Sequence, residues 1–234
     1  MDDDVRAAIA ASHLRHLPAE VLGEVMADAR GIQVPAGAIL HREGDTDAHV
    51  ELVVSGAVRV FVSAPDGRTL TVRYCRPGAL MGVVSLFAKG FVMPATTQAL
   101  VATRLLRMPA PAVRAAAGSD PRVADALLGE LSERVLRFVD EIRGGAFASV
   151  RQRVARHLLD LASERAAAQR PGPELVARIS QRELAAAVGT VREVVVVRIL
   201  RELRRDGVVR TGRDQIVIVD PARLIQEHGW NTGP

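Results

Sequence analysis

Ser180 with Glu183, Thr190 with Glu193, and then Arg192, Arg198, Arg201, Arg204 and Arg205 are the residues whose types and spacing carry recognisable chemistry. In each Ser/Thr-x-x-Glu set the hydroxyl accepts from a backbone N–H three residues on, and the Glu reaches back to the cap. Two helix starts are therefore expected, near 181 and 191. Arginines beside a helix start match base edges: a guanidinium bonds guanine bidentately, and a carboxylate accepts from cytosine. The chemistry is recognition of duplex DNA rather than bond-making.

The surrounding elements must hold those side chains out. Val188-Gly189 closes the first helix and supplies the turn. Helix, short Gly-containing turn and second helix make a helix-turn-helix. Val194 to Val197 is a run of β-branched residues that also suits a strand. The helical spacing of Arg198-Ile-Leu-Arg-Glu-Leu-Arg-Arg205, closed by Gly207, favours a helix. Val208–Arg210, a Thr-Gly-Arg-Asp turn and Ile216–Val219 read as a two-stranded wing.

The remaining 1–179 supply context. Residues 1–144 hold 16 Arg/Lys against 17 Asp/Glu, and residues 145–234 hold 15 against 10. A neutral part followed by a basic part fits a sensor joined to a nucleic-acid binder. Few aromatics accompany the basic half, which disfavours stacking on single strands. Hydrophobic residues make up 48% of the chain, enough for a sizeable core. No run of 18 apolar residues and no signal-peptide pattern opens the chain, so a cytoplasmic protein without membrane contact is expected. A single cysteine, Cys75, excludes an internal disulfide and a four-cysteine iron–sulfur cluster. A cupin-type metalloenzyme needs a His-x-His set that His41 and His49 do not form, so no enzyme activity, catalytic residue or metal site is expected.

Along the chain, residues 5–30 carry helical spacing. Short alternating runs at Ala38–His41, Val50–Val54, Val58–Ser63, Leu70–Cys75 and Ala99–Met108 are separated by glycine turns, with Asp66-Gly67 the clearest hairpin. These predict a small jelly roll. Asp120-Pro121 opens a long helix. On it Leu127, Leu131, Val135, Phe138 and Ile142 make a seam suited to parallel dimerisation. Gly144-Gly145 is expected to interrupt that helix as a hinge. Ser149 with Gln152 starts another helix, and Gln169–Pro173 is a loop. The expected domains are 1–118, a β-roll sensor; 119–145, the dimer helix and hinge; and 146–234, a winged helix-turn-helix. The class is α+β.

In this order of parts the chain resembles the cyclic-AMP receptor / fumarate-nitrate regulator (CRP/FNR) family of bacterial transcription factors. The resemblance rests on Gly37, Gly44, Gly56, Asp66-Gly67, Pro77-Gly78 and Gly82, and on Ala146-Phe147 before Val150, Arg153-Val154-Ala155 and Leu158-Leu159. It implies a cyclic-nucleotide-binding-type β-roll and a homodimer on a two-fold symmetric DNA site, with RNA polymerase as a further partner. The two recognition helices would enter major grooves about 34 Å apart. Arg192 and Glu193 match the family's base-reading pair and Arg198 its second arginine, but the spacing to Arg198 is one residue longer than usual. Ser180, Arg182 and the wing's Arg213 are the candidates for phosphate contacts.

The resemblance also implies an effector pocket, and there this chain departs. Val83 stands at the ribose-binding Glu, Met93 and Pro94 at the phosphate-binding Arg-Ser, and Phe138 and Val139 at the purine-contacting Thr-Ser. Desolvating a cyclic phosphate without cationic or donor partners costs several kcal/mol, so cyclic AMP is disfavoured. Val83, Val84, Met93 and their apolar neighbours are expected either to line a cavity for a hydrophobic effector or haem, or to fill the space themselves in a ligand-independent regulator. For haem, Gly82 and Val84 stand where the carbon-monoxide-sensing branch has its Cys and His; His13, His16, His41, His49 and Cys75 are the candidate ligands left. No cofactor is predicted, and the effector stays open.

Overall fold

The structure is a computed structural model. It describes the backbone of residues 2–47, 49–65, 67, 69–147, 149–168, 175–188, 193–212 and 215–228, and their side chains except at 140–147, 163–168, 186, 193 and 228. The chain divides into two compact units, Met1–Val62 with Val72–Val139, and Ser63–Thr71 with Asp140–Pro234. Asp66, the Gln169–Pro173 loop, Thr190, Arg192 and Arg213 lie outside the described residues.

The helical spacing over 5–30 resolves into three pieces rather than one helix: α1 (Asp3–Ala10), a 3-10 turn (His13–His16) and α2 (Ala19–Met26). Ser12 explains the break, because its side chain accepts from the Leu14 N–H and so competes with a continuing helix. Strands β1 (Arg30–Val34), β2 (Ile39–His41), β3 (His49–Ser55), β4 (Val58–Ser63), β5 (Thr69–Cys75), β6 (Leu80–Met81), β7 (Thr96–Ala99) and β8 (Thr103–Pro109) follow. They form two four-stranded sheets, β1-β8-β3-β6 and β2-β7-β4-β5. The run Ala99–Met108 is two strands rather than one, because Leu100–Ala102 carries the chain from one sheet to the other.

β3 is buried on both faces. Val50, Leu52 and Val54 join α1, α2 and the helices that follow in one core, while Val53 meets Val58, Cys75, Met81 and Leu105 between the sheets. Gly82 leaves β6 with φ +79°, and a Cβ there would lie 1.9 Å from the His49 carbonyl oxygen. Only glycine lets the chain turn that close to β3. After β8 come α3 (Ala110–Ser119) and α4 (Pro121–Phe147). Asp120 caps α4, its Oδ1 accepting from the Arg122 N–H at 2.8 Å.

Gly144-Gly145 does not interrupt α4, which stays helical to Phe147. Glycine costs about 1 kcal/mol per residue relative to alanine in a helix, and a helix already propagated over many turns absorbs that.

The second unit holds α5 (Val150–Ala168), β9 (Leu175–Ala177), α6 (Gln181–Ala187), α7 (Glu193–Arg205), β10 (Val209–Thr211), β11 (Ile216–Ile218) and α8 (Pro221–His228). Ser149 and Gln152 form the expected reciprocal cap on α5: Gln152 N–H to Ser149 Oγ at 3.2 Å, and Ser149 N–H to Gln152 Oε1 at 2.8 Å. The expected two-stranded wing is a three-stranded sheet, β10-β11-β9, with Val217 opposite both Arg210 and Val176. Among the described residues no helix is long and apolar enough to cross a membrane.

Candidate nucleic-acid interface and effector segment

α6 starts where its cap places it. The Glu183 N–H donates to Ser180 Oγ at 3.2 Å, and the Ser180 N–H donates to Glu183 Oε2 at 2.9 Å. Its far end is held by Arg153 of α5, whose Nε donates to the Val188 carbonyl at 3.0 Å. α7 ends in a Schellman turn: Gly207, with φ +74°, donates to Arg204 O at 3.1 Å, and Val208 N–H to Leu203 O at 2.9 Å. Arg204 and Arg205 in that last turn face the negative end of the helix dipole.

The valine run is helical, and it is two-sided. Val196, Ile199, Leu200 and Leu203 are buried; Val194, Arg198, Arg201 and Arg205 are exposed. Because α7 is uninterrupted, distance from Arg198 decides which residues share its face. The residues five and four before it are Glu193 and Val194. Counted back from Arg198, Val194 therefore stands one turn before it and Glu193 one residue further; the count from Gly189 runs through 189–192, outside the described residues. Glu193 opens the helix, with its side chain outside the described set. Arg182 is exposed, and Ser180 is half-buried with its oxygen accepting the cap bond.

Arg151, near the start of α5, clasps this unit together. It meets Glu227 of α8 bidentately, at 2.7 and 2.9 Å, and Glu202 of α7 at 2.9 Å. The bonds to Glu227 raise the Arg151 pKa further and hold the Glu227 carboxyl below its ordinary value. Neither α8 nor this clasp carried a local signal beyond Asp220-Pro221, an Asp-Pro helix opening like Asp120-Pro121.

The first unit distributes the expected pocket residues differently. Val83 is fully buried in the core shared by α1–α4. Val84, Pro94, Phe138 and Val139 are exposed, and Met93 is half-buried. The Met93 N–H is already spent on the Asp45 carbonyl at 2.7 Å, and its carbonyl accepts from Gly44 at 2.9 Å. Pro94 has no N–H to offer. The expected seam residues divide between core and surface. Leu127 is 1% exposed inside the unit's own core, and Leu131 packs against that core. Val135 (61% exposed) and Phe138 of that seam are exposed, and Leu128, Leu136 (67%) and Val139 are exposed beside them on α4. Ile142's side chain is outside the described set.

Polar groups that no local pattern flagged converge inside this unit. Glu51 is buried between two partners: His41 Nε2 at 3.0 Å from one oxygen, and Arg107 Nε at 2.7 Å and Nη2 at 2.6 Å on the other. Burial pushes the Glu51 carboxyl up, but the bonds from His41 and Arg107 outweigh it and hold the pKa below its ordinary value. Nearby, burial and the Arg107 charge hold the His49 ring down. Arg134 and Arg73 both donate to Leu80 O, at 2.8 and 3.4 Å, with Glu130 Oε1 3.0 and 3.8 Å away. Arg134 Nε is buried with no partner, and burial together with the Arg73 charge lowers its pKa. Of the haem-ligand candidates, His41 is on Glu51, His13 is 2.7 Å from Glu133, and Cys75 is buried beside Arg73 Nε. Alternation along β2, β3 and β8 would show which residues point inward, but not that His41, Glu51 and Arg107 meet.

A β-roll joined through a long helix to a winged helix-turn-helix defines a class of DNA-binding regulators. The known proteins agree. Residues 32–120 match the cyclic nucleotide-binding domain model, and residues 152–227 match the Crp-like helix-turn-helix domain model. A CRP-like cAMP-activated global transcriptional regulator of Mycobacterium tuberculosis is 30% identical over 196 residues, 82% of this chain and 85% of that protein. Transcriptional regulator SdrP of Thermus thermophilus is 32% identical over 168 residues, 72% of this chain and 78% of that protein. Among solved structures, a CRP/FNR-family regulator from Thermus thermophilus superposes with TM-score 0.73 at 27% identity, covering 86% of this chain and 99% of the other. The c-di-GMP responsive regulator CLP of Xanthomonas campestris gives 0.72 at 26% identity over the same shares. The chain belongs to the CRP/FNR family of transcription regulators and carries that family's helix-turn-helix DNA-binding domain.

Proposed function

We propose that this regulator is a cytoplasmic homodimer that reads a two-fold symmetric duplex site with paired α7 helices, recruits or contacts RNA polymerase, and does not take cyclic AMP in the family's manner. The observation that carries the reading is the two-sidedness of α7. One face is sealed by Val196, Ile199, Leu200 and Leu203, and the other presents Arg198 and Arg201 to solvent. Pairing is supported by the apolar line Leu128, Val135, Val139 on α4, which the unit's own core leaves uncovered. The test is selection from a random duplex pool, followed by affinity measurement against competitor DNA. A palindromic motif bound by two chains, preferred by about 10³-fold or more, is expected. A preference near unity would make the protein an architectural binder, and one chain per site would end the dimer reading.

The mycobacterial relative is described as cAMP-activated and the Xanthomonas protein as c-di-GMP responsive. In this chain the places for the ribose and phosphate contacts hold a core valine, a methionine whose N–H is taken, and a proline. The residues present do not fit a cyclic phosphate. The burial of Val83 favours a second reading, a ligand-independent regulator whose side chains fill the space; a hydrophobic effector or haem is the alternative. Calorimetry with cyclic AMP, cyclic GMP and cyclic di-GMP should give no heat, and an absorbance scan no haem band. Sub-millimolar binding of a cyclic nucleotide would overturn the pocket reading while leaving DNA recognition intact.

A further inference from the structure

Val194 is 77% exposed, the highest exposure among the large hydrophobic side chains described. It stands in the first turn of α7, whereas Val195 and Val197 are half-buried and Val196 is fully buried. Val194 thus keeps most of its side chain in solvent. At 100° per residue, Val194, Arg198 and Arg201 fall within about 60° of one another, a single exposed stripe. An apolar tip followed by arginines is a chemical sequence along one edge of the helix. In a major groove the apolar feature on a base edge is the C5-methyl of thymine, while N7 and O6 of guanine take an arginine. The N-terminal residues of a recognition helix are those that reach base edges.

We propose that Val194 reads the C5-methyl of a thymine in each half-site, beside the base pair contacted by Arg198. The inference rests on the reading of α7 as the recognition helix. One helical turn advances about 5.4 Å and one base step about 3.4 Å. The thymine therefore lies within two base pairs of the Arg198 contact. A valine offers no hydrogen bond, so this position discriminates by shape and apolar contact alone.

The experiment takes the full-length protein and the duplex enriched from a random pool. Each thymine of a half-site is replaced in turn by uracil, which pairs identically but lacks the methyl. At one position wild-type affinity should fall by about 4-fold, the worth of one buried methylene-sized group. Val194→Ala should lose a similar factor on the thymine site and become indifferent to uracil there. Arg198→Ala should keep the thymine–uracil difference while losing discrimination at its own base pair. Wild-type indifference to uracil at every position, or a Val194→Ala variant that still prefers thymine, would overturn the assignment and leave sequence-specific binding standing. Failure to enrich any sequence would overturn the recognition-helix reading, and the role of Val194 with it.

Discussion

α7 and the segment from Gly82 to Pro94, the stretches read here for DNA and for an effector, present opposite surfaces. α7 exposes Arg198 and Arg201 on a helix anchored by four buried side chains. The 82–94 segment exposes Val84, Phe87 and Val92 and buries Val83 in the core. Exposed guanidiniums on a stiff element cost little, since water solvates them until a partner arrives. A buried anion site must be kept supplied with donors or lose its ligand. The difference teaches that an exposed charged face and a buried anion site answer to separate physical constraints.

The sharpest break of the comparison lies on α4. Leu127→Asp places a charge in the first unit's core and should prevent folding, seen as loss of cooperative thermal unfolding. Val135→Asp with Leu136→Asp should leave that core intact and give monomers by sedimentation. A folded dimer from the second pair would move the interface elsewhere.

The next effect tests the Glu51 cluster. Glu51→Ala leaves Arg107 facing a buried void and should cost about 3–5 kcal/mol in chemical denaturation, the range for breaking a buried ion pair. The folded-state pKa values of Glu51 and His49 both lie below their ordinary values of 4.5 and 6.5. Each therefore contributes stability above its unfolded value that is lost as pH falls through its folded value. Wild-type stability should decline on acidification below about pH 6.5 and again below about pH 4.5, and Glu51→Ala should make the second decline shallower. An unchanged acid limb would mean that Glu51 does not titrate differently on folding.

Arg198→Ala should weaken binding to the selected site by roughly 1–3 kcal/mol and relax one base pair per half-site. Equal loss on random DNA would place Arg198 on phosphate. The smallest effect is at Gly144 and Gly145: because both are helical, alanine at each should raise stability by about 0.5–1 kcal/mol. No gain would restore the broken-helix expectation.

What was legible in the sequence was what neighbours decide. Ser149–Gln152, Ser180–Glu183, Asp120-Pro121 and Gly207 each place a helix end within a few residues, because caps satisfy backbone groups locally. The strand-forming run Val50–Val54 and the glycines at 37, 44, 56, 67, 78 and 82, all with positive φ, were likewise open to reading. β1 was missed because Arg30–Val34 becomes a strand only by pairing with β8, more than 60 residues away. β9 was missed for the same reason, since its partner is the wing.

By itself, then, the sequence determined the order of parts, the helix-turn-helix with its wing, and the arginines available to DNA, since these follow from short-range hydrogen bonding and side-chain type. Tertiary structure alone decided which face of each element is free. It put Leu127 and Val83 in the core, turned Leu128 and Val135 outward, and joined Glu51 to His41 and Arg107 across the roll. It also left Val194, one turn before Arg198, facing solvent. The physical reason is that burial is settled by elements distant in sequence, and one residue of rotation on a helix moves a side chain by 100°, enough to exchange core for solvent.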